Sequence, residues 1–416
     1  MINVLAASYI GYGEERNIQR MHGKRRGQGR CKVQGNRVKK WKLVIAAEAV
    51  LCMTAFAGIL CDREEENGKK TQSIEAEQEA AENERQVQEA LSDGYIKWVD
   101  FNVSYDALCL AYEWDVNTWG EEVHIDWVEM LAYLGARYGG DFSSNDKKLA
   151  KDVAKLAEQL IEEGVTIEEL TKDMQYYAYY KEAYGAVLGG MVGEYEIEEA
   201  DENGNKVWKR VYGLKAFSPI ARGFEYTHYA DFGSNRSYGY QRPHLGHDMM
   251  GQIGTPIIAV ESGYVEAIGW NQYGGWRIGI RSFDGRRYYY YAHMRQNCPY
   301  AEGLAEGSIV TAGDVIGYMG HTGYSATENV NNIEVIHLHW GMQLIFDESQ
   351  KDGSNQIWID VYPLTQFLYK HRSEVEKVED TREWRRVYDM KDPAAEAYEA
   401  GKNEKVVSGN SESMSE

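Results

Sequence analysis

Cysteine is scarce in this chain. Its 416 residues include five, Cys31, Cys52, Cys61, Cys109 and Cys298, with no paired spacing. A disulfide framework and a cysteine-based metal site are therefore not indicated. Gly-x-Ser-x-Gly, His-Glu-x-x-His, a Walker loop and Cys-x-x-Cys are all missing, which removes the local signatures of several common chemistries. Positive charge is also short: 45 Lys and Arg against 65 Asp and Glu leave a formal net charge of −20. That balance argues against a nucleic-acid partner. It also denies the chain a bulk attraction to anionic surfaces, so recognition must come from short-range contacts. Between Asp62 and about Gly94 large apolar residues are almost absent, and such a stretch cannot bury a core.

What is present is unevenly spread. Residues 1–42 are basic, with Lys24, Arg25, Arg26, Arg30, Lys32, Arg37, Lys39, Lys40 and Lys42. Residues 43–61 are apolar apart from Glu48, and the chain then turns acidic at Asp62-Arg63-Glu64-Glu65-Glu66. Basic before and acidic after an apolar run predicts a cytoplasmic amino terminus and an exported remainder. Nineteen residues just reach the length of a spanning helix, so the expectation is a single-pass membrane anchor. Two alternatives remain open: secretion after cleavage at Ala55-Phe56-Ala57, and lipidation of Cys61. Met21 competes with Met1 as the start of a shorter basic region. Residues 62–94 read as an acidic stalk or linker.

From 95 to 200 the periodicity is helical. Leu149, Val153, Leu156 and Leu160 share one face of a helix that Asn145 or Asp146 could cap. Thr166-Ile167-Glu168-Glu169 reads as a capping box opening a further helix that carries Tyr176, Tyr180 and Tyr184. Those tyrosines read better as packing within a bundle than as a sugar-stacking surface. Ile125, Val128, Met130, Leu131 and Leu134 predict another helix after His124. No motif ties this α-helical domain to chemistry. From about 207 the pattern changes to short strands and glycine turns, with a hairpin signal at Asp284-Gly285. The segment 372–416 is charged, then rich in Ser and Glu, and reads as disordered.

Six of the ten histidines lie between positions 244 and 339. His244 and Asp248 are four apart, in His-Leu-Gly-His-Asp, and can converge on one ion. His337 and His339 are two apart, and on a strand such a pair projects from one face. One imidazole of that pair can bind a metal while the other faces a substrate. His293 follows in Tyr291-Ala292-His293. A catalytic zinc ion takes three N, S or O ligands and keeps a position open to water. These stretches supply three ligands and two imidazoles beside them, the equipment for hydrolysis by metal-activated water. His247, His321, His228, His124 and His371 read as packing, turn or surface residues.

These motifs, in this order, resemble peptidase family M23, the lysostaphin and LytM type of zinc endopeptidase. The resemblance runs from about Trp208 to about Lys370. It includes Gly254-Thr255-Pro256-Ile257-Ile258-Ala259-Val260, the Gly-rich stretch from Val310 to Gly317, and the turn His321-Thr322-Gly323. Trp340 and Ile336 depart mildly from the commonest Phe and Pro at their positions. The resemblance implies that His244, Asp248 and His339 bind zinc. It implies that His293 and His337 are the catalytic imidazoles, with Tyr238 as a donor to the oxyanion.

The expected architecture is accordingly a β-rich catalytic domain over 207–371, with an antiparallel-sheet groove. An α-helical domain and an N-terminal transmembrane helix precede it. The expected function is a membrane-anchored endopeptidase hydrolysing peptide bonds of bacterial peptidoglycan, with Zn2+ as cofactor and a peptidoglycan peptide as substrate. The alternative is a non-enzymatic scaffold of the cell envelope, as in relatives that have lost ligands; none is missing here. A third reading is an active enzyme held latent by its own helical segment.

Overall fold

The computed structural model describes residues 95–237 and 241–412. The basic segment, the apolar run at 43–61, the stalk and Tyr238 lie outside the described residues. Among the described residues no helix is long and apolar enough to cross a membrane.

Among the described residues five helices come first: α1 (Tyr105–Thr118), α2 (Trp127–Tyr138), α3 (Asp146–Ile161), α4 (Ile167–Thr171) and α5 (Tyr177–Leu188). Three of them start where a short polar side chain satisfies a free backbone N–H. Ser104 accepts from Ala107 N, Asp126 from Glu129 N, and Thr166 forms the expected reciprocal box with Glu169. Asn145 does stand at the N-cap of α3, but its amide donates to Asp141 O instead of capping. Helix α3 buries Leu149, Val153, Leu156 and Leu160 as their spacing predicts.

The helix expected to run from Thr166 through the tyrosines is two helices. Helix α4 ends after five residues and Met174 N turns back to Thr171 O. The tyrosines are packing residues. Tyr179, Tyr180 and Tyr184 are buried, and the Tyr184 ring meets Phe101 edge-on at 5.5 Å. Gly135 on α2 admits that ring, because a Cβ there would lie 2.9 Å from Tyr184 Cε2.

The helical reading of 95–200 fails at its end. Residues 192–200 form strand β1 (Val192–Ala200), which pairs antiparallel with β2 (Lys206–Leu214) in the register Tyr195↔Val211 and Ile197↔Lys209. Asp201 accepts from Asn203 N and Asn205 N and closes the turn between them. Tyr195 and Ile197 enter a cluster with Phe217, Ala221, Ile258 and Val315. The intervening glutamates point outward, as alternation on a half-buried strand requires.

The remainder is built on an eight-stranded sheet. Its members are β3 (Thr227–Tyr229), β6 (His247–Met250), β8 (Gly263–Asn271), β9 (Gly275–Ser282), β10 (Arg287–Ala292), β11 (Ile309–Val310), β13 (His337–Leu344) and β14 (Ile357–Ile359). Along the sheet the order is β11-β8-β9-β10-β13-β6-β3, with β14 also on β13, and every pairing is antiparallel. The hairpin at Asp284-Gly285 joins β9 to β10 as expected. Beside the sheet lie the pairs β4 (Asn235–Ser237) with β5 (Gln241–Pro243), and β7 (Pro256–Ile258) with β12 (Val315–Tyr318). Helix α6 is Tyr362–Leu368.

Residues 372–412 are not the expected disordered tail. They include β15 (Val375–Lys377), β16 (Trp384–Arg386), β17 (Met390–Lys391) and α7 (Pro393–Glu412). Their few apolar residues decide this: Met390 is buried, and Val375 and Trp384 pack on the same cluster as Tyr195. Tyr318 donates to Glu383 Oε2 at 2.6 Å.

Helices and sheet share buried contacts. Arg287, 1% exposed, donates to Glu261 Oε2 at 2.7 Å and to Ala186 O of α5 at 2.7 Å. Phe367 of α6 meets Tyr112 of α1 at 5.5 Å between ring centres and Trp127 of α2 at 5.9 Å. Gln350 Nε2 donates to Ile96 O at 2.7 Å.

Candidate metal centre and groove

Strand register assembles the centre. Strand β13 pairs with β6 so that His339 stands opposite Asp248, and with β10 so that Ala292 stands opposite His339. Leu338 and Trp340 project to the other face and are fully buried. The period of two therefore commits His337 and His339 to one side. His244 lies just before β6, where its N–H donates to Ser234 O and its carbonyl accepts from Gly233 N. His293 follows β10 in the left-handed region, at φ 61°, with its N–H donating to Gly274 O at 2.8 Å.

Three atoms meet in this frame. His244 Nε2 is 3.1 Å from Asp248 Oδ1 and 2.9 Å from His339 Nδ1, and the latter two atoms are 2.9 Å apart. Three tetrahedral ligands about 2.05 Å from one zinc ion stand about 3.3 Å apart, so the triangle needs only slight opening to hold one. The donor chemistry fits as well. Asp231 Oδ1 lies 2.7 Å from His244 Nδ1. That contact is out of line for a good hydrogen bond, yet close enough for the charge to favour the proton on Nδ1 and leave Nε2 bare. Arg236 Nη1 donates to Asp248 Oδ2 at 2.7 Å, while Nη2 donates to Asp231 Oδ1 at 2.8 Å. Asp248 thus turns Oδ2 to the guanidinium and Oδ1 to the triangle. Burial acts to raise the pKa of Asp248, but its close imidazole neighbours, His244 and His339 first, hold it below the usual carboxylate range. Burial lowers that of His339.

Two more imidazoles face the same space. His293 Nδ1 donates to Thr322 O at 2.9 Å and His337 Nδ1 donates to Val335 O at 2.8 Å. A carbonyl can only accept, so in both rings the proton sits on Nδ1 and Nε2 presents its lone pair. The two ring centres are 4.7 Å apart, and His337 Nε2 is 3.6 Å from Asp248 Oδ2. Burial, followed by the neighbouring His337 and His339, pushes the pKa of His293 well below the ordinary imidazole value. A groove of about 620 Å3 is lined by His244, His293 and His339 together with Arg242, Tyr273 and Tyr324.

The structure therefore brings His244, Asp248, His293, His337 and His339 together. Among the described residues the other histidines stand apart as structural residues. His247 pairs with His228, Nε2 to Nδ1 at 2.7 Å, and burial lowers its pKa to about 4. His321 Nδ1 donates to Ile333 O, His371 Nδ1 donates to Ala216 O, and His124 contacts Asp115. Asp231, Arg236 and Arg242 were invisible to spacing, because separate loop and strand segments carry them in.

The sequence profile of peptidase family M23 matches residues 242–353, which contain all five of these residues. The catalytic domain of the antimicrobial peptidase lysostaphin from Staphylococcus simulans, a solved structure, is 30% identical. The match covers 34% of this chain and 92% of that one, with a TM-score of 0.27. This chain belongs to peptidase family M23. The L-Ala--D-Glu endopeptidase of Bacillus subtilis (strain 168) is 36% identical over 152 residues, 36% of this chain and 43% of that protein. A Ruminococcus gnavus ATCC 29149 structure, provisionally named a glycyl-glycine endopeptidase lytM, is 22% identical. It covers 70% of this chain and 96% of that one, with a TM-score of 0.44. The chain spans less than half the length of the curated relatives it matches. The M23 profile stops short of the five helices and of β15 to β17.

Proposed function

We propose that this M23 chain is a zinc endopeptidase that hydrolyses peptide bonds of bacterial peptidoglycan. The observation that carries the reading is the convergence of His244 Nε2, Asp248 Oδ1 and His339 Nδ1 beside two imidazoles with bare Nε2 atoms. When bound, zinc supplies Lewis acidity and brings the pKa of water to about 7. His244, Asp248 and His339 would hold it. His293 and His337 do the proton work. Each is held at Nδ1 by a backbone carbonyl, which leaves Nε2 bare, so each can take a proton from water at the centre and return it to the leaving amine. Held neutral by burial, His293 is in the basic form at neutral pH. Charge on the former carbonyl oxygen needs a donor, and Tyr238, outside the described residues, keeps that proposed role.

Export and anchoring through residues 43–61 belong to the same proposal, on the strength of the charge asymmetry around that run. The scaffold reading has no support from geometry, since none of the five residues is lost or turned away. The test is release of new amino termini from purified cell walls by the zinc-loaded full chain. Release that His337→Ala abolishes supports the reading; no release by the wild-type chain refutes it.

A further inference from the structure

Cations in the groove fall into two groups. Arg236 is held by Asp231 and Asp248, and Lys351 pairs with Glu266 at 2.6 Å. Arg242 on β5 and Arg277 on β9 line the same groove, and among the described residues neither forms an ion pair. Arg242 stands between two tyrosine rings, 5.2 Å from the centres of both Tyr273 and Tyr324, and donates to the Tyr324 hydroxyl. Its guanidinium plane is therefore fixed rather than free to wander in solvent. Arg277 Nη1 is shut off from solvent and has no hydrogen-bond partner. A charged donor left this way is costly, and native structures retain such groups where something else meets them.

The two arginines line one groove together with Tyr290 and Asn271, and the Tyr290 hydroxyl accepts from Asn271 Nδ2 at 3.2 Å. The groove adjoins the reacting centre, because Tyr324 lies 5.9 Å from the His293 ring, nearly parallel to it. A peptide crossing the imidazoles thus passes two guanidinium groups that form no direct ion pair among the described residues, although Glu266 and Asp352 also line the groove. A carboxylate answers both, with two acceptor oxygens and the opposite charge. A carboxamide offers one acceptor and no charge.

We propose that Arg242 and Arg277 form a carboxylate-binding subsite, so that the preferred substrate is a peptide bearing a free carboxylate within a residue or two of the cleaved bond. This subsite rests on the peptidase reading for its role in turnover, though not for its binding chemistry. The carboxylate can come from an acidic residue within the peptide or from a chain end.

Calorimetry separates these cases on the full chain treated with chelator, where no turnover consumes the ligand. The probes are L-Ala–γ-D-Glu–L-Lys–D-Ala, the same peptide with the D-Glu carboxylate converted to the amide, and the same peptide with its C-terminus amidated. One of the two amidations should weaken binding on the order of tenfold, and which one does so identifies the source. Arg242→Gln and Arg277→Gln should each bring that ratio close to one by weakening the acid form alone. Equal binding of all three peptides overturns the subsite, as does binding of none, or a loss in the variants that falls equally on acid and amide. Turnover by the zinc-loaded chain is scored separately. Cleavage without discrimination sinks the subsite alone; discrimination in binding without cleavage sinks the peptidase reading alone.

Discussion

Gly246 is the most exacting position in the centre, although it binds nothing. It lies between His244 and Asp248, and its backbone is not left-handed, so only contact opposes a side chain there. A Cβ would stand 2.6 Å from both Cε1 and Nε2 of His339 and 2.9 Å from Trp340 O. The oxygen belongs to the β6–β13 ladder and yields little, so the ring must move. Ordinary contact begins at 3.4 Å, which requires the imidazole to retreat by about 0.8 Å. Metal–ligand distances tolerate only about 0.2 Å, so His339 Nδ1 would leave the triangle it makes with His244 and Asp248. Gly246→Ala should lower zinc affinity by about 100-fold or more, beyond what loss of an orienting partner costs. Competition against a chromophoric chelator measures this, and thermal unfolding of the chelated protein checks that the fold persists. An affinity within threefold of wild type, in a folded variant, would refute the claim that close packing over the imidazole sets the ligand's position.

Other outcomes follow from the same geometry. His293→Gln should abolish hydrolysis while leaving zinc stoichiometry at one per chain, as judged by metal analysis; parallel loss of metal would make His293 a ligand instead. Arg287→Met leaves Glu261 buried without its guanidinium and unties the sheet from α5, so denaturant unfolding should show a loss of about 3–5 kcal/mol. A loss under about 1 kcal/mol would mean the pair ties nothing. Burial lowers the pKa of His371 below its ordinary 6.5. The unfolded chain therefore binds the proton more readily, and the stabilisation is full above pH 6.5 and fades as pH falls through the folded value. In chelator, the drop in melting temperature from pH 7.5 to 5 should be smaller for His371→Gln than for wild type; equal drops would contradict this.

The centre was legible because its residues obey local rules. His337 and His339 share a face by the strand period, and Asp284-Gly285 fixes the hairpin that delivers His293. The rest depended on what the chain meets in space. The glutamates at 194, 196 and 198 hid strand β1, since charge on its open face masks the alternation of Tyr195 and Ile197. Composition made 372–416 look unfolded, yet Met390 and Trp384 needed only a cluster already built by other strands. Arg236 and Asp231 act on Asp248 and His244 through contacts between separate loop and strand segments, and no spacing in the sequence announces them. Nor does spacing reveal that Phe367 packs among the helices, which makes the helical segment part of the same body as the sheet.

Zinc-edge X-ray absorption on the metal-loaded full chain tests the central claim most directly. One ion per chain is expected, with two imidazole nitrogens and one carboxylate oxygen at about 2.0–2.2 Å, and with the imidazole signal reduced in His244→Ala and in His339→Ala. A bound ion whose spectrum is unchanged in both variants, or a chain that takes up no stoichiometric metal, would contradict it.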